Sequence, residues 1–291
     1  MDRKKIVACL TALLLAGCSR PNRIVVGSKN FTEQILLGEI LAQQIERRLG
    51  VTVERKLNLG GTLLAHEALI SGAIDLYPEY TGTALTAVLK QPVLRDPDAV
   101  LANVRSAYAE KWRLKWTDPL GFNDTFAMVV RGETARENKL ATISDAARLR
   151  SWKMGAGYEF KQRPDGLDGL LQTYSLRMDG ASVTMDLGLL YSALQSRQVD
   201  LIAANSTDGM LSVLDVVVLQ DDKHYFPPYQ CAPIVRNETL TRYPRLSEAL
   251  AEIAGRLTDA TMRQLNHAID GEHRSPSQVA TDWLHANLGR P

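Results

Sequence analysis

The sequence predicts an open α/β protein built as two units, on three observations. Short β-branched runs alternate with amphipathic stretches from Arg23 to Trp112, the alternation restarts at Phe126 and runs to Leu219, and everything beyond Arg236 reads as helix. With 45% hydrophobic and 23% charged residues the composition is that of an ordinary globular chain. Lys and Arg total 34 against 33 Asp and Glu, a net charge of +1 that excludes a nucleic-acid binder held by a basic face.

Each element has its own signal. Arg23 to Val26 reads as a strand ending at Gly27. Thr32 then caps a helix with apolar positions Ile35, Leu36, Ile40, Leu41, Ile45 and Leu49, which Gly50 stops. Val51 to Leu57 reads as a strand, Thr62 to Ser71 as a helix closed by Gly72, and Ile74 to Tyr77 as the next strand. Asp96-Pro97 starts a further helix towards Trp112, with a cap followed by proline at the first helical position. In the second unit, strands are expected at Phe126 to Val130, Lys153 to Ala156, Ser182 to Met185, Asp200 to Ala204 and Val216 to Leu219. Helices are expected at Ser144 to Leu149, after Asp165, and at Asp186 to Ser196. Pro227-Pro228 breaks the chain before Pro233 to Arg236, and Ser247 and Ser275-Pro276 cap helices of a tail expected to pack on the first unit.

The N-terminus points to export. Arg3, Lys4 and Lys5 precede the apolar run Ile6 to Ala16, which is shorter than the ~20 residues a membrane-spanning helix needs. Leu15-Ala16-Gly17-Cys18 resembles the lipobox of bacterial lipoproteins, which implies removal of residues 1–17 and lipidation of Cys18. Cys9 leaves with the signal, so Cys231 is the one cysteine of the folded part and no internal disulfide framework exists. The remaining roughly 270 residues suffice for two modest domains.

Enzyme signatures are missing. Gly155-Ala156-Gly157 lacks the third glycine and the acidic partner of a dinucleotide site, and His66-Glu67 has no second histidine four residues on. Cys231 is expected to be an inert buried thiol rather than a nucleophile served by His224. No Gly-x-Ser-x-Gly elbow and no phosphate loop occur, so neither an enzyme nor a cofactor is expected.

Aromatic and small polar residues gather instead at strand ends and at the passages between units, where open α/β sheets bind ligands. The segments are Val26 to Gln34 (VGSKNFTEQ), Asp75 to Thr83 (DLYPEYTGT), Gly121 to Phe126 (GFNDTF), Ser206 to Gly209 (STDG) and Phe226 to Tyr229 (FPPY). In this order, and over residues 23–291, they resemble the substrate-binding proteins of ABC importers for osmoprotectants, the glycine betaine, carnitine and choline group.

The resemblance implies a type II periplasmic-binding-protein fold: two α/β lobes joined by two chain crossings, with a ligand cleft between them. Lobe one is expected at 23–123 and 228–291, lobe two at 124–227, and 18–22 as an anchor and short linker. Tyr80, Phe126, Asn205 and Tyr229 fall at the family's cage positions around a quaternary ammonium, and Lys29, Thr83 and Arg163 where a carboxylate is held. Asp124 joins them as a ligand-binding residue, and Tyr77 is a candidate substitute wall. Two positions depart from the pattern: phenylalanine at 126 and asparagine at 205 stand where the family usually has tyrosine, leaving the cage short of one wall and opening the ligand range to a larger betaine or a hydrogen-bonding amine. The implied partners are a small quaternary-ammonium ligand, the permease subunits of an ABC importer, and a bacterial membrane reached through the lipid on its extracytoplasmic side. A ligand-sensing lipoprotein that signals to a partner is the alternative on the same fold.

Overall fold

The chain builds two five-stranded sheets, and each takes in a strand that runs against its neighbours. The computed structural model describes residues 23–149 and 151–289, so the signal segment and Cys18 lie outside the described residues. In chain order the strands are β1 (Ile24–Gly27), β2 (Val53–Lys56), β3 (Leu76–Tyr80), β4 (Leu114–Trp116), β5 (Phe126–Arg131), β6 (Met154–Ala156), β7 (Val183–Thr184), β8 (Leu201–Asn205), β9 (Val216–Leu219) and β10 (Cys231–Arg236). The first sheet has the order β2-β1-β3-β10-β4 and the second β7-β6-β8-β5-β9. β10 lies antiparallel between β3 and β4, while β5 lies antiparallel between β8 and β9. This is the two-lobed α/β architecture the resemblance implied.

Both faces of each sheet are covered, as βα crossovers require. The helix Thr32–Leu49 is buried along Leu36, Leu37, Ile40, Leu41 and Ile45, because it lies between the first sheet and the tail helices Leu246–Ala251 and Pro276–Leu288. Gly50 ends it at φ 67° with its N–H on Glu46 O, the left-handed stop expected of glycine. On the other face of the same sheet, Tyr77, Tyr108 and Trp116 pack with the helices Thr62–Ile70 and Pro97–Trp112. His66 sits there against Tyr108 and Trp112, and burial lowers its pKa to about 4, leaving it a neutral core ring.

Several local expectations need correction. The helix after β1 has Phe31 at its N-cap; Thr32 is already helical and its hydroxyl donates to Asp270 Oδ1 at 2.7 Å. β3 runs on to Tyr80 instead of ending at Tyr77, because antiparallel pairing with β10 extends it as far as Tyr80 opposite Cys231. Arg245, not Ser247, precedes the helix Leu246–Ala251. The tail also reaches beyond the first lobe: the helix Asp259–Asp270 packs against Gly209–Ser212 of the second, where Asn266 Nδ2 donates to Thr207 O at 2.9 Å.

The two crossings run side by side. Asn123 bridges Gln230, Asp124 N–H donates to Tyr229 O at 3.2 Å, and Asn123 Oδ1 accepts from Tyr229 N–H at 2.6 Å. Gly121 enters this ribbon at φ 114°, and an added Cβ there would lie 2.5 Å from Leu257 O. Gly121→Ala is therefore expected to lower unfolding free energy by about 1–3 kcal/mol in urea titration, and a variant as stable as the parent would contradict this.

Candidate functional site

A cavity of about 220 Å³ lies between the lobes. It opens where β1, β3, β6 and β8 end, since the chain leaving a parallel strand must turn away and leaves a crevice there. Lys29 follows β1, Tyr80 closes β3 and Thr83 lies one helical turn on; Arg163 follows the short helix Tyr158–Gln162 after β6, and Asn205 closes β8. Asp124 and Tyr229 come from the crossings, and Phe126 opens β5. All of these residues singled out from the sequence line this one cavity, together with Phe31, Gly61, Tyr158, Glu159, Phe160, Met185, Asp186 and Leu187. Tyr77 does not; it is buried in the opposite face of the first sheet.

The aromatic walls are held in fixed attitudes. Phe126 meets Tyr229 edge to face at 5.8 Å between centroids and Phe160 at 4.8 Å. Register places Phe126 opposite Asn205. Tyr80 OH donates to Glu33 Oε1 at 2.6 Å and Tyr229 OH to Asp165 Oδ2 at 2.5 Å, so both phenols point away from the cavity and neither ring can swing. Phe31 lies against Tyr80 at 6.3 Å.

The basic groups are neutralised from behind. Lys29, 3% exposed, forms an ion pair with the fully buried Glu79, whose other oxygen takes the Tyr77 hydroxyl at 3.0 Å. Arg163 makes a two-pronged pair with Asp165, Nε to Oδ1 at 2.9 Å and Nη2 to Oδ2 at 2.6 Å. Burial opposes ionisation of Asp165, yet the guanidinium holds its pKa below the usual carboxylate value. The guanidinium carbon rests 5.1 Å from the Phe126 ring and 5.6 Å from that of Tyr229.

Further polar contacts join the lobes around the cavity. Arg163 Nη1 donates to Thr83 Oγ1 at 2.9 Å. Glu159 accepts from the Thr62 backbone N–H and, at 3.0 Å, from its hydroxyl, capping across the cleft the helix Thr62–Ile70. Gly61 permits this approach: a Cβ at that position would sit 2.3 Å from Glu159 Oε1. On the other side, Thr207 Oγ1 donates to Glu33 Oε2 at 2.5 Å, and Asn266 Nδ2 reaches the same oxygen at 3.1 Å.

Glu33 belongs to a buried acidic group with Asp124 and Asp208. Burial raises the pKa of each, that of Asp208 to about 7; the charge of Glu33 adds to the rise at Asp124 and Asp208, and that of Asp259 to the rise at Glu33. Asp208 accepts from Asn205 N–H and from Tyr191 OH, both at 3.0 Å. Cys231 is fully buried with its thiol pKa pushed up by burial, in keeping with an inert core thiol. Among the described residues no group of three His, Cys, Asp or Glu side chains could hold a metal ion.

A sequence profile for the substrate binding domain of ABC-type glycine betaine transport systems matches residues 22–286. The chain belongs to this family. It is 36% identical to a glycine-betaine-binding protein of Pseudomonas aeruginosa, over 97% of this chain and 93% of that one. It is 31% identical to a carnitine transport binding protein of Listeria monocytogenes, over 98% and 97% respectively. A crystal structure described as a glycine betaine/carnitine/choline ABC transporter superposes with a TM-score of 0.77 at 29% identity, covering 91% of this chain and 99% of that one.

Sequence reading missed the residues behind the wall: Glu33, Glu79, Asp165 and Thr207, and the interlobe role of Glu159. A signal was present, because a cation destined for burial requires an acid within reach, and Glu79 and Asp165 lie one or two positions from residues already singled out.

The acidic group sets a pH dependence. A carboxyl with a raised folded pKa keeps its proton after the unfolded chain has lost it, so its stabilising effect is complete below about 3.8 and is lost as pH rises towards about 7. Asp208→Asn removes that titration. Melting temperatures of parent and variant across this window should show the parent declining more steeply, and parallel profiles would refute the assignment.

Proposed function

We propose that this protein is the extracytoplasmic receptor of an ABC importer and that it closes on a small quaternary-ammonium osmoprotectant, such as glycine betaine, choline, carnitine or a related betaine. The observation that carries the reading is the gathering of Tyr80, Phe126 and Tyr229, from both lobes and a crossing, around one cavity. A quaternary ammonium has no N–H to donate, so ring faces are what can select it, each contributing about 0.5–2 kcal/mol as it is desolvated. Tyr80, Phe126, Asn205 and Tyr229 form the ammonium end in this reading, with Asp124 beside them, and Phe160 is a neighbouring ring that helps to hold Phe126.

Lys29, Thr83 and Arg163 form the end that meets a carboxylate or other acceptor. Their ion pairs leave donors over: an ammonium carries three N–H groups and a guanidinium five, more than Glu79, Asp165 and Thr83 accept. Residues 23–123 and 228–291 act as one lobe and 124–227 as the other, and the ligand shifts the equilibrium between them towards closure. The closed form is what the permease subunits receive. The protein performs no chemical step. Cys18 carries the lipid that keeps it at the membrane; no helix among the described residues is long and apolar enough to cross one.

Calorimetric titration of the exported chain with glycine betaine, choline and carnitine tests the reading. At least one should bind, and Tyr229→Leu should weaken the tightest of them by about tenfold. Absence of binding by all of them, or an affinity unchanged by loss of the ring, would overturn it.

A further inference from the structure

The polar groups around the cavity are nearly all committed. Lys29 is held by Glu79, Arg163 by Asp165 and Thr83, Glu159 by Thr62, and the Tyr80 and Tyr229 hydroxyls by carboxylates. Asn205 differs. Its backbone N–H donates to Asp208, but its side-chain amide makes no hydrogen bond to another described residue, although it is half-buried and lines the cavity. Ala203, two residues earlier on the same face of β8, lines the cavity as well, so nothing bulky covers the amide. Phe126 stands directly opposite in register, which puts the amide beside the ring that faces the ligand.

An amide in this place makes a demand that a ring does not. When a ligand fills the cavity the amide loses its water, and an unmatched donor and acceptor then weigh against binding. A trimethylammonium presents only C–H groups, whose hydrogen bonds are weak. An N–H on the nitrogen, or a hydroxyl next to it, restores the lost partner, and a site built to make such a bond discriminates strongly against the analogue without it. Resting on the ligand reading above, we infer that Asn205 sets specificity for a small ammonium compound that carries a hydrogen-bonding group at its cationic end, in preference to one that is fully methylated and otherwise bare.

Two matched pairs isolate this feature: N,N-dimethylglycine against glycine betaine, differing by one N-methyl, and carnitine against γ-butyrobetaine, differing by one hydroxyl. Calorimetry on the parent protein should find the hydrogen-bonding member at least about tenfold tighter in one pair or both. Asn205→Ala, which removes the amide without adding bulk, should bring that ratio within about threefold, and Asn205→Tyr should reverse it in favour of the member without the hydrogen-bonding group. Flat ratios in the parent, or a preference that survives in Asn205→Ala, would overturn the inference while leaving the ligand reading intact. Failure of all the compounds to bind the parent would instead remove the reading on which it rests.

Discussion

The cleft depends on carboxylates packed behind its wall. Glu79 and Asp165 have no exposure at all, and a bare charge at such depth costs several kcal/mol. Each persists because a cation and a phenol share it: Lys29 and Tyr77 on Glu79, Arg163 and Tyr229 on Asp165. The arrangement does two things together. It brings basic side chains to a site that would otherwise exclude them, and it ties down the Tyr229 ring through its hydroxyl. A site that waits for its ligand with rigid walls loses less freedom on binding than one that must assemble them.

The lobe arrangement was legible in the sequence because it rests on periodicity and punctuation. Gly50 and Asp96-Pro97 act where the sequence says they do, through a left-handed stop and through a side-chain cap that accepts from Asp98 N–H at 3.1 Å. What was not legible depends on distant chain. β4 is only three residues, Leu-Lys-Trp, too short an alternation to stand out as a strand by itself, and its one partner strand is β10. Thr32 looks like a cap until Asp270, far along the chain, takes its hydroxyl. The cavity-lining side chains could be nominated from aromatic and polar segments at strand ends, whereas the acids that support them show their role only once the folded lobes bury them.

The contacts between lobes are unequal in kind. Glu159 meets Thr62 with two hydrogen bonds and Arg163 meets Thr83 with one, all of them polar contacts. Near the crossings the joint is backed by packing: the helix Asp259–Asp270 fits so closely on Gly209 that a Cβ there would lie 2.3 Å from His267 N. Buried Glu33 receives donors from Tyr80, Thr207 and Asn266 in the same region.

The insertion of β10 has a consequence for how the molecule comes into being. β3 and β4 touch each other only through this strand, which arrives after the whole of the second lobe has been made. Emerging from its N-terminus, the chain can complete the second sheet from contiguous sequence, but the first keeps an unpaired edge at β3 until Cys231–Arg236 closes it. Such a long-range closure is slow, so the first lobe matures late and its open edge is the segment most in need of protection during biogenesis.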